Sequence, residues 1–255
     1  NILDAYKGCL SIDSAVVTDN NDAVLQKALY QYDEQQNMVG VQVYNYDEYS
    51  DSLILSQNTG FEKRGDTIVE KYYEYDEYSD STYYRFYHEY CTDNHGNLTY
   101  NALFSFHDWI GDNGMWASER IEHMTYDEQS RLTVYRLEHF DYSTQSGNVL
   151  ESITYYTYPS DSVREETKWE YDAFEDHLSA TERREYRTSG DSILEIYYTP
   201  DYQSEESDAW ELYYINAEIH HTPDSMTTYS VYAAYEWQDE KRVFTGLAYQ
   251  SRDRI

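Results

Sequence analysis

The segment YDEYSDS occurs at Tyr46–Ser52 and again, unchanged, at Tyr75–Ser81, 29 residues further on. It joins two motifs that alternate along the chain. One is Tyr-Asp at the end of an aromatic run, as in YQYD (Tyr30–Asp33), YNYD (Tyr44–Asp47), YEYD (Tyr73–Asp76), MTYD (Met124–Asp127) and WEYD (Trp169–Asp172). The other is a small residue, Asp or Asn, then Ser or Thr, as in SDSLIL, GDTIVE, SDSVRE and GDSILE. Both are turn chemistry: short polar side chains bond the nearby backbone, and Gly accepts positive φ. The aromatic and β-branched residues between them suit pleated strands. In Val163–Tyr171, residues Val163, Glu165, Thr167, Trp169 and Tyr171 share one face, and Arg164, Glu166, Lys168 and Glu170 the other.

Turn signals about every 12–17 residues predict roughly fourteen to sixteen strands. No crossover is long enough to join parallel strands. The chain therefore reads as all-β, an antiparallel meander of repeated hairpins. Residues 1–28 form a less regular N-terminal segment and 29–255 a Tyr-rich β-repeat domain. Asp22–Leu29 fits a short helix or an opening strand. Charge on both faces, as with Arg85, His88 and Glu89, favours an extended, twisted, largely single-layer sheet. A barrel or sandwich is the alternative. Cross-strand Tyr pairs and opposite-charge pairs are expected to hold it. YDEYSDS then marks two neighbouring turns at one edge, gathering Asp47, Asp51, Asp76 and Asp80 there.

Leu, Ile, Val and Phe make up only about 18% of the chain, which with a net charge of −31 borders on a disordered composition. The 32 Tyr and 5 Trp supply the missing apolar area. That charge repels phosphates, so nucleic acid is excluded as a partner. Anionic membranes are disfavoured, leaving membrane contact only through a tether outside this sequence. No apolar stretch is long enough to span a bilayer. The chain opens on Asn1 rather than Met, so it is expected to begin after a removed leader or at a trimmed end. Cys9 and Cys91 are too few for a disulfide scaffold, and whether they are bridged stays open.

Several Tyr-Asp turns resemble the signature of the YD-repeat, or Rhs-like, family of secreted bacterial β-repeat proteins. YDEQSRL (Tyr126–Leu132) and YDEQQNM (Tyr32–Met38) match it with Ser130 and Gln36 in place of the family's Gly; TDNHGNL (Thr92–Leu98) keeps Gly96 but has Thr92 for Tyr; WQDEKRV (Trp237–Val243) is a degenerate copy. DWIGDNGMW (Asp108–Trp116) is similar to the Asp-Trp…Trp hairpin loop of Tyr-rich YD-like repeats, and DYQSEESDAW (Asp201–Trp210) to a second copy lacking the first Trp. The resemblance implies a β-repeat architecture and a secreted or bacterial cell-surface location, and no shared catalytic site. MORN-type repeats are a competing resemblance.

The chain has no phosphate-binding glycine loop, nucleophile elbow or H-E-x-x-H zinc motif. Its 49 acidic residues single out no catalytic pair. It reads as non-enzymatic, without a cofactor, acting as an adhesin, binding module or spacer with a glycan or protein as candidate ligand. Trp109 and Trp116, flanking a loop with Asp112, are placed either to stack on a sugar or to staple the hairpin; Trp210 is a further candidate contact. Carbohydrate binding or hydrolysis through Trp and carboxylates is the alternative function. Asp93, His95 and Asn97 alternate through one turn and are the candidate calcium ligands.

Overall fold

In the computed structural model of the chain, the described residues are 13–21, 23–76, 81–108, 110, 114–145, 147–172, 176–201, 209–222, 225–238 and 241–254. They form sixteen antiparallel strands in one sheet, in sequential order, not closed into a barrel. The first eight are β1 (Ser14–Thr18), β2 (Val24–Tyr32), β3 (Met38–Asp47), β4 (Ser52–Arg64), β5 (Thr67–Asp76), β6 (Ser81–Thr92), β7 (Leu98–His107) and β8 (Met115–Tyr126). The rest are β9 (Leu132–Phe140), β10 (Asn148–Ser160), β11 (Val163–Asp172), β12 (His177–Ser189), β13 (Ser192–Pro200), β14 (Trp210–Thr222), β15 (Ser225–Gln238) and β16 (Lys241–Arg254). The expected meander is therefore present, and the barrel and sandwich are excluded. Regular pairing is present from Ser14, and Val24–Tyr32 is a strand rather than a helix, the second in order after β1. The chain divides into two compact units, Asn1–His123 with Glu138–Val149, and Met124–Leu137 with Leu150–Ile255.

The connections between strands recur in a few kinds. Residues 33–37, 93–97 and 127–131 are one turn made three times. In each, the Asp backbone N–H donates to the carbonyl four residues on, at 2.9 Å, and the carbonyl of Asp33, Asp93 or Asp127 accepts from the residue three on, at 3.0 Å. The Asp carboxylate accepts from the N–H groups two and four residues on, at 2.8–3.0 Å. The residue before the turn closes is left-handed in all three: Gln36 at φ 64°, Gly96 at 84° and Ser130 at 60°. The missing glycines thus leave the turn geometry intact but put two L-residues where φ is positive, which destabilises by about 1 kcal/mol each. Gln36→Gly and Ser130→Gly are each expected to raise stability by up to about that amount, offset in part by Gly's greater unfolded-state freedom, in chemical denaturation.

A second kind of turn follows β3 and β11. The four-residue loop after Asp47 carries Asp51 at φ 50°, accepting from the Tyr46 hydroxyl at 2.6 Å. Asp172 opens a loop of the same length, in which Asp176 (φ 54°) accepts from the Tyr171 hydroxyl. The second YDEYSDS pairs Asp76 with Ser81 in the register that pairs Asp47 with Ser52; its residues 77–80 lie outside the described residues. On the outgoing strands β4, β6, β8 and β12 a β-bulge recurs four residues after the strand begins, where the register skips Ser56, Arg85, Glu119 and Thr181. Bulges at fixed positions add local twist and re-aim the side chains beyond them.

Packing is thin. Every residue of β11 is half-buried, on both faces. In unit 1, Val69 and Ala102, each 1% exposed, lie in one cross-strand row with Ile121. Elsewhere aromatic rungs supply the contact: Tyr72 on Phe86 at 4.4 Å, Tyr87 on Phe104 at 4.6 Å, and Tyr197 on Tyr214 at 5.0 Å between ring centroids. Each is a registered cross-strand pair, worth roughly 0.5–1.5 kcal/mol beyond burial. The one cluster of buried apolar residues among those described is Ile110, Ala117 and Phe140, with Met115 and Tyr142 against it. Ile110 comes from the β7–β8 loop, which lays it beside strand residues.

Candidate functional site

A cleft of about 370 Å³ lies in unit 2. Its walls come from β10, β11, β12 and β13, with Arg131 contributed by the 127–131 turn. Arg164 and Tyr186 are register partners on β11 and β12. The pairing sets the Arg164 guanidinium 4.3 Å above the Tyr186 ring. Arg131 stands likewise 4.4 Å over Tyr158, whose hydroxyl donates to the Leu132 carbonyl at 2.9 Å. Val163 and the 37%-exposed Ile193 add apolar surface, and the 161–162 turn brings Asp161 and Ser162. Thr188 completes the rim, its N–H donating to the Ser162 carbonyl at 2.8 Å.

The two arginines differ in how they are held. Arg131 Nε donates to Asp127 at 2.8 Å, so the turn aspartate fixes it. The Arg164 guanidinium makes no hydrogen bond to a described residue: its Nε is enclosed, and a terminal nitrogen forms a 3.6 Å ion pair with Glu166. The Glu166 carboxyl is pushed up by burial, against the pull of Arg164 and Arg184. The Tyr186 hydroxyl donates to Glu166 at 3.3 Å and to Glu195 at 3.2 Å, and its phenol is pushed up by burial.

A second cleft, about 440 Å³, lies in unit 1 beside the Tyr72–Phe86 stack. Its polar groups satisfy one another: Asn101 bridges His88 and Glu122, and Arg120 donates to Glu122 at 2.6 Å. His88 is pushed up by its neighbour Glu70. This network holds strands together and leaves fewer open donors than Arg164 does.

The residues singled out in the sequence lie elsewhere. Trp116 packs into an aromatic ladder, 4.7 Å from Tyr84, 5.0 Å from Tyr87 and 5.6 Å from Phe106. Trp109 and Asp112 lie outside the described residues. Trp210 is half-buried, paired in register with Pro200. In the 93–97 turn, the Asp93 carboxylate accepts from the N–H groups of His95 and Asn97 and from the Asn97 amide, so a cation there competes with the turn. No group of three or more His, Cys, Asp or Glu among the described residues is arranged to hold a metal ion. Cys91 is a free thiol 3.1 Å from the Thr67 hydroxyl, and Cys9 lies outside the described residues. Sequence reasoning missed Arg131, Arg164, Tyr158 and Tyr186. The available signal was cationic: with only 18 Lys and Arg, an Arg two residues past the SDS turn stands out.

The turn carboxylates set an acid limit. Asp33 and Asp93 are held below the usual range mainly by the amides of Asn37 and Asn97, and Asp127 by the Arg131 N–H. Asp141, accepting from the Ser143 and Thr144 hydroxyls, is lowered to about 2. A lowered carboxylate stabilises the fold above its unfolded value, 3.8, and that contribution is lost as pH falls through the folded value. The melting temperature is expected to fall between about pH 4 and 2. Asp33→Asn, Asp93→Asn and Asp127→Asn together should flatten that fall, because Asn keeps an acceptor oxygen without titrating. A triple variant with an unchanged acid limb would show that these turns do not set it.

No protein-family model matches the sequence, and no curated protein does. Among solved structures, a protein of unknown function from Bacteroides fragilis is 10% identical, with a TM-score of 0.39 over 51% of this chain and 91% of that one. The TcdB2-TccC3-Cdc42 complex is 12% identical with a TM-score of 0.27, covering 93% of this chain and 14% of that one. TcdB2-TccC3 is 11% identical with a TM-score of 0.18, covering 93% and 16%. This chain thus spans a small part of the latter two. At these scores the architecture rests on the strand register described above.

Proposed function

We propose that the protein is an exported, non-catalytic β-repeat binding module of the YD-repeat type, working at or released from a bacterial surface. The observation that carries the binding reading is the Arg–Tyr cleft: two guanidiniums stacked on rings, beside apolar wall and hydroxyls, in a concavity of small-molecule size. A spacer has no use for an arginine laid on a ring at a cleft wall with only a 3.6 Å ion pair to Glu166 and no hydrogen bond. The three equivalent Asp turns support the repeat reading, since they keep one geometry through changes of sequence. Export follows from the resemblance in those turns. Within the binding reading the cleft favours a glycan, because stacked planar groups, hydroxyls and a carboxylate converge there.

The test is a glycan array probed with the whole chain and with Tyr158→Ala. Retention of defined glycans by the parent, and their loss in the variant, is the expected result. A chain that retains nothing across plant, host and microbial glycans would overturn the glycan reading.

A further inference from the structure

We infer that the Arg–Tyr cleft takes an acidic sugar, a hexuronate or its glycoside, with Arg164 receiving the carboxylate and Asp161 accepting from ring hydroxyls. The inference rests on the binding reading above and names the ligand class. It starts from an imbalance. With 49 acidic against 18 basic residues, arginines here readily find a carboxylate. Arg64 donates to Glu62 at 2.8 Å, Arg85 to Glu74 at 2.7 Å, Arg120 to Glu122 at 2.6 Å and Arg184 to Glu182 at 3.2 Å. Arg164 makes no such hydrogen bond, only a 3.6 Å ion pair with Glu166, although it is 43% exposed and lines a cleft. Stacking on Tyr186 holds its plane, so its fork is ordered while its terminal nitrogens make no hydrogen bond to a described residue. A planar five-donor fork fits a carboxylate edge in a way an ammonium does not.

The same rim carries the opposite element. Asp161, in the two-residue turn between β10 and β11, has no hydrogen bond or ion pair with a described residue. An ionised carboxylate accepts only. A ligand satisfying both groups must therefore carry an anionic acceptor and hydroxyl donors on one small frame. Ser162 and Thr188 offer further hydroxyl partners, and Val163 and Ile193 suit the C–H face of a pyranose. A simple carboxylate leaves Asp161 unserved, and a neutral hexose leaves Arg164 with only its 3.6 Å ion pair to Glu166.

Titration calorimetry and ligand-observed NMR on the whole chain would use methyl glucuronide, galacturonate, glucose and acetate as probes. A uronate is expected to bind at least tenfold more tightly than glucose, with acetate weaker still. Arg164→Ala should weaken uronate binding tenfold or more, and Arg164→Lys should restore only part of it. Asp161→Asn should weaken it less. Melting curves verify that each variant folds, and Arg85→Ala, at an ion pair in the other unit, is the control. Equal binding of glucose and uronate, indifferent to Arg164, would overturn the acidic-sugar assignment and leave the binding module standing. Acetate competing as well as the uronates would reduce the site to carboxylate capture and overturn it too. Silence of all four probes, with array ligands retained elsewhere on the chain, would overturn this inference alone; silence of the array as well would remove both readings.

Discussion

Replacing Ile110 with alanine is expected to lower stability by about 3 kcal/mol, more than truncating any strand aliphatic on an open face. Ile110 is 2% exposed and lies against Ala117 and Phe140, in a protein with few buried apolar side chains to share the loss. Deleting it removes burial and leaves a cavity that the thin sheet has little surrounding mass to fill. Leu103, 37% exposed on β7, is the contrast, with less than about 1 kcal/mol expected on truncation to Ala. The loop also depends on Gly114. At φ 71° an L-residue is strained, and an added Cβ would meet Phe106 at 2.4 Å and the His107 carbonyl at 3.0 Å. Gly114→Ala should therefore act in the same direction as Ile110→Ala. Denaturant titration gives both numbers, and an Ile110→Ala loss no larger than that of Leu103→Ala would mean the loop is not an anchor.

The second large effect is expected at Arg184. Its guanidinium reaches Glu182 at 3.2 Å, Glu195 at 3.6 Å and Glu166 at 3.8 Å, and lies 5.3 Å over the Tyr197 ring. Arg184→Ala leaves three mostly buried carboxylates facing one another, which should lower stability by about 3 kcal/mol at pH 7. The deficit should shrink towards pH 4. Burial already raises the Glu166 carboxyl, so its neutral form favours the fold; that contribution is complete below the unfolded value, 4.5, and is lost as pH rises through the folded one. Without Arg184 the loss is steeper. Arg184→Met keeps the packing on Tyr197 without the charge. Melting curves at both pH values separate the two roles, and a deficit equal at pH 4 and pH 7 would assign Arg184 to packing.

Much of this architecture was written in local chemistry. Tyr-Asp predicts a turn because Asp33, Asp93 and Asp127 carry their own hydrogen-bond acceptors to it, whatever the rest of the chain does. The absence of long crossovers then leaves a meander. The bulges at Ser56, Arg85, Glu119 and Thr181 were not legible, because a bulge is a mismatch between two strands and neither strand records it alone. The buried anchor was not legible for a related reason. In DWIGDNGMW the tryptophans draw attention, yet the loop turns Ile110 inwards and Trp116 joins the ladder of Tyr84 and Tyr87. The cleft was hidden by distance. Arg131, Arg164 and Tyr186 are far apart in sequence and meet only once the registers of β11 and β12 are set.

The matched registers of the two YDEYSDS turns make them interchangeable joints. Both open with the same Asp–Ser pairing, and both are followed by a bulge at the same step, Ser56 in one and Arg85 in the other. Joining the first half of one copy to the second half of the other would excise 29 residues, β4 and β5 together, and let β3 run into β6. Every remaining side chain would keep its face and every remaining turn its end. Loss of a single strand would reverse both. The hairpin is therefore the unit in which a chain of this kind can lengthen or shorten, and a new pair of strands can enter such a lineage without disturbing the cleft that β10–β13 form.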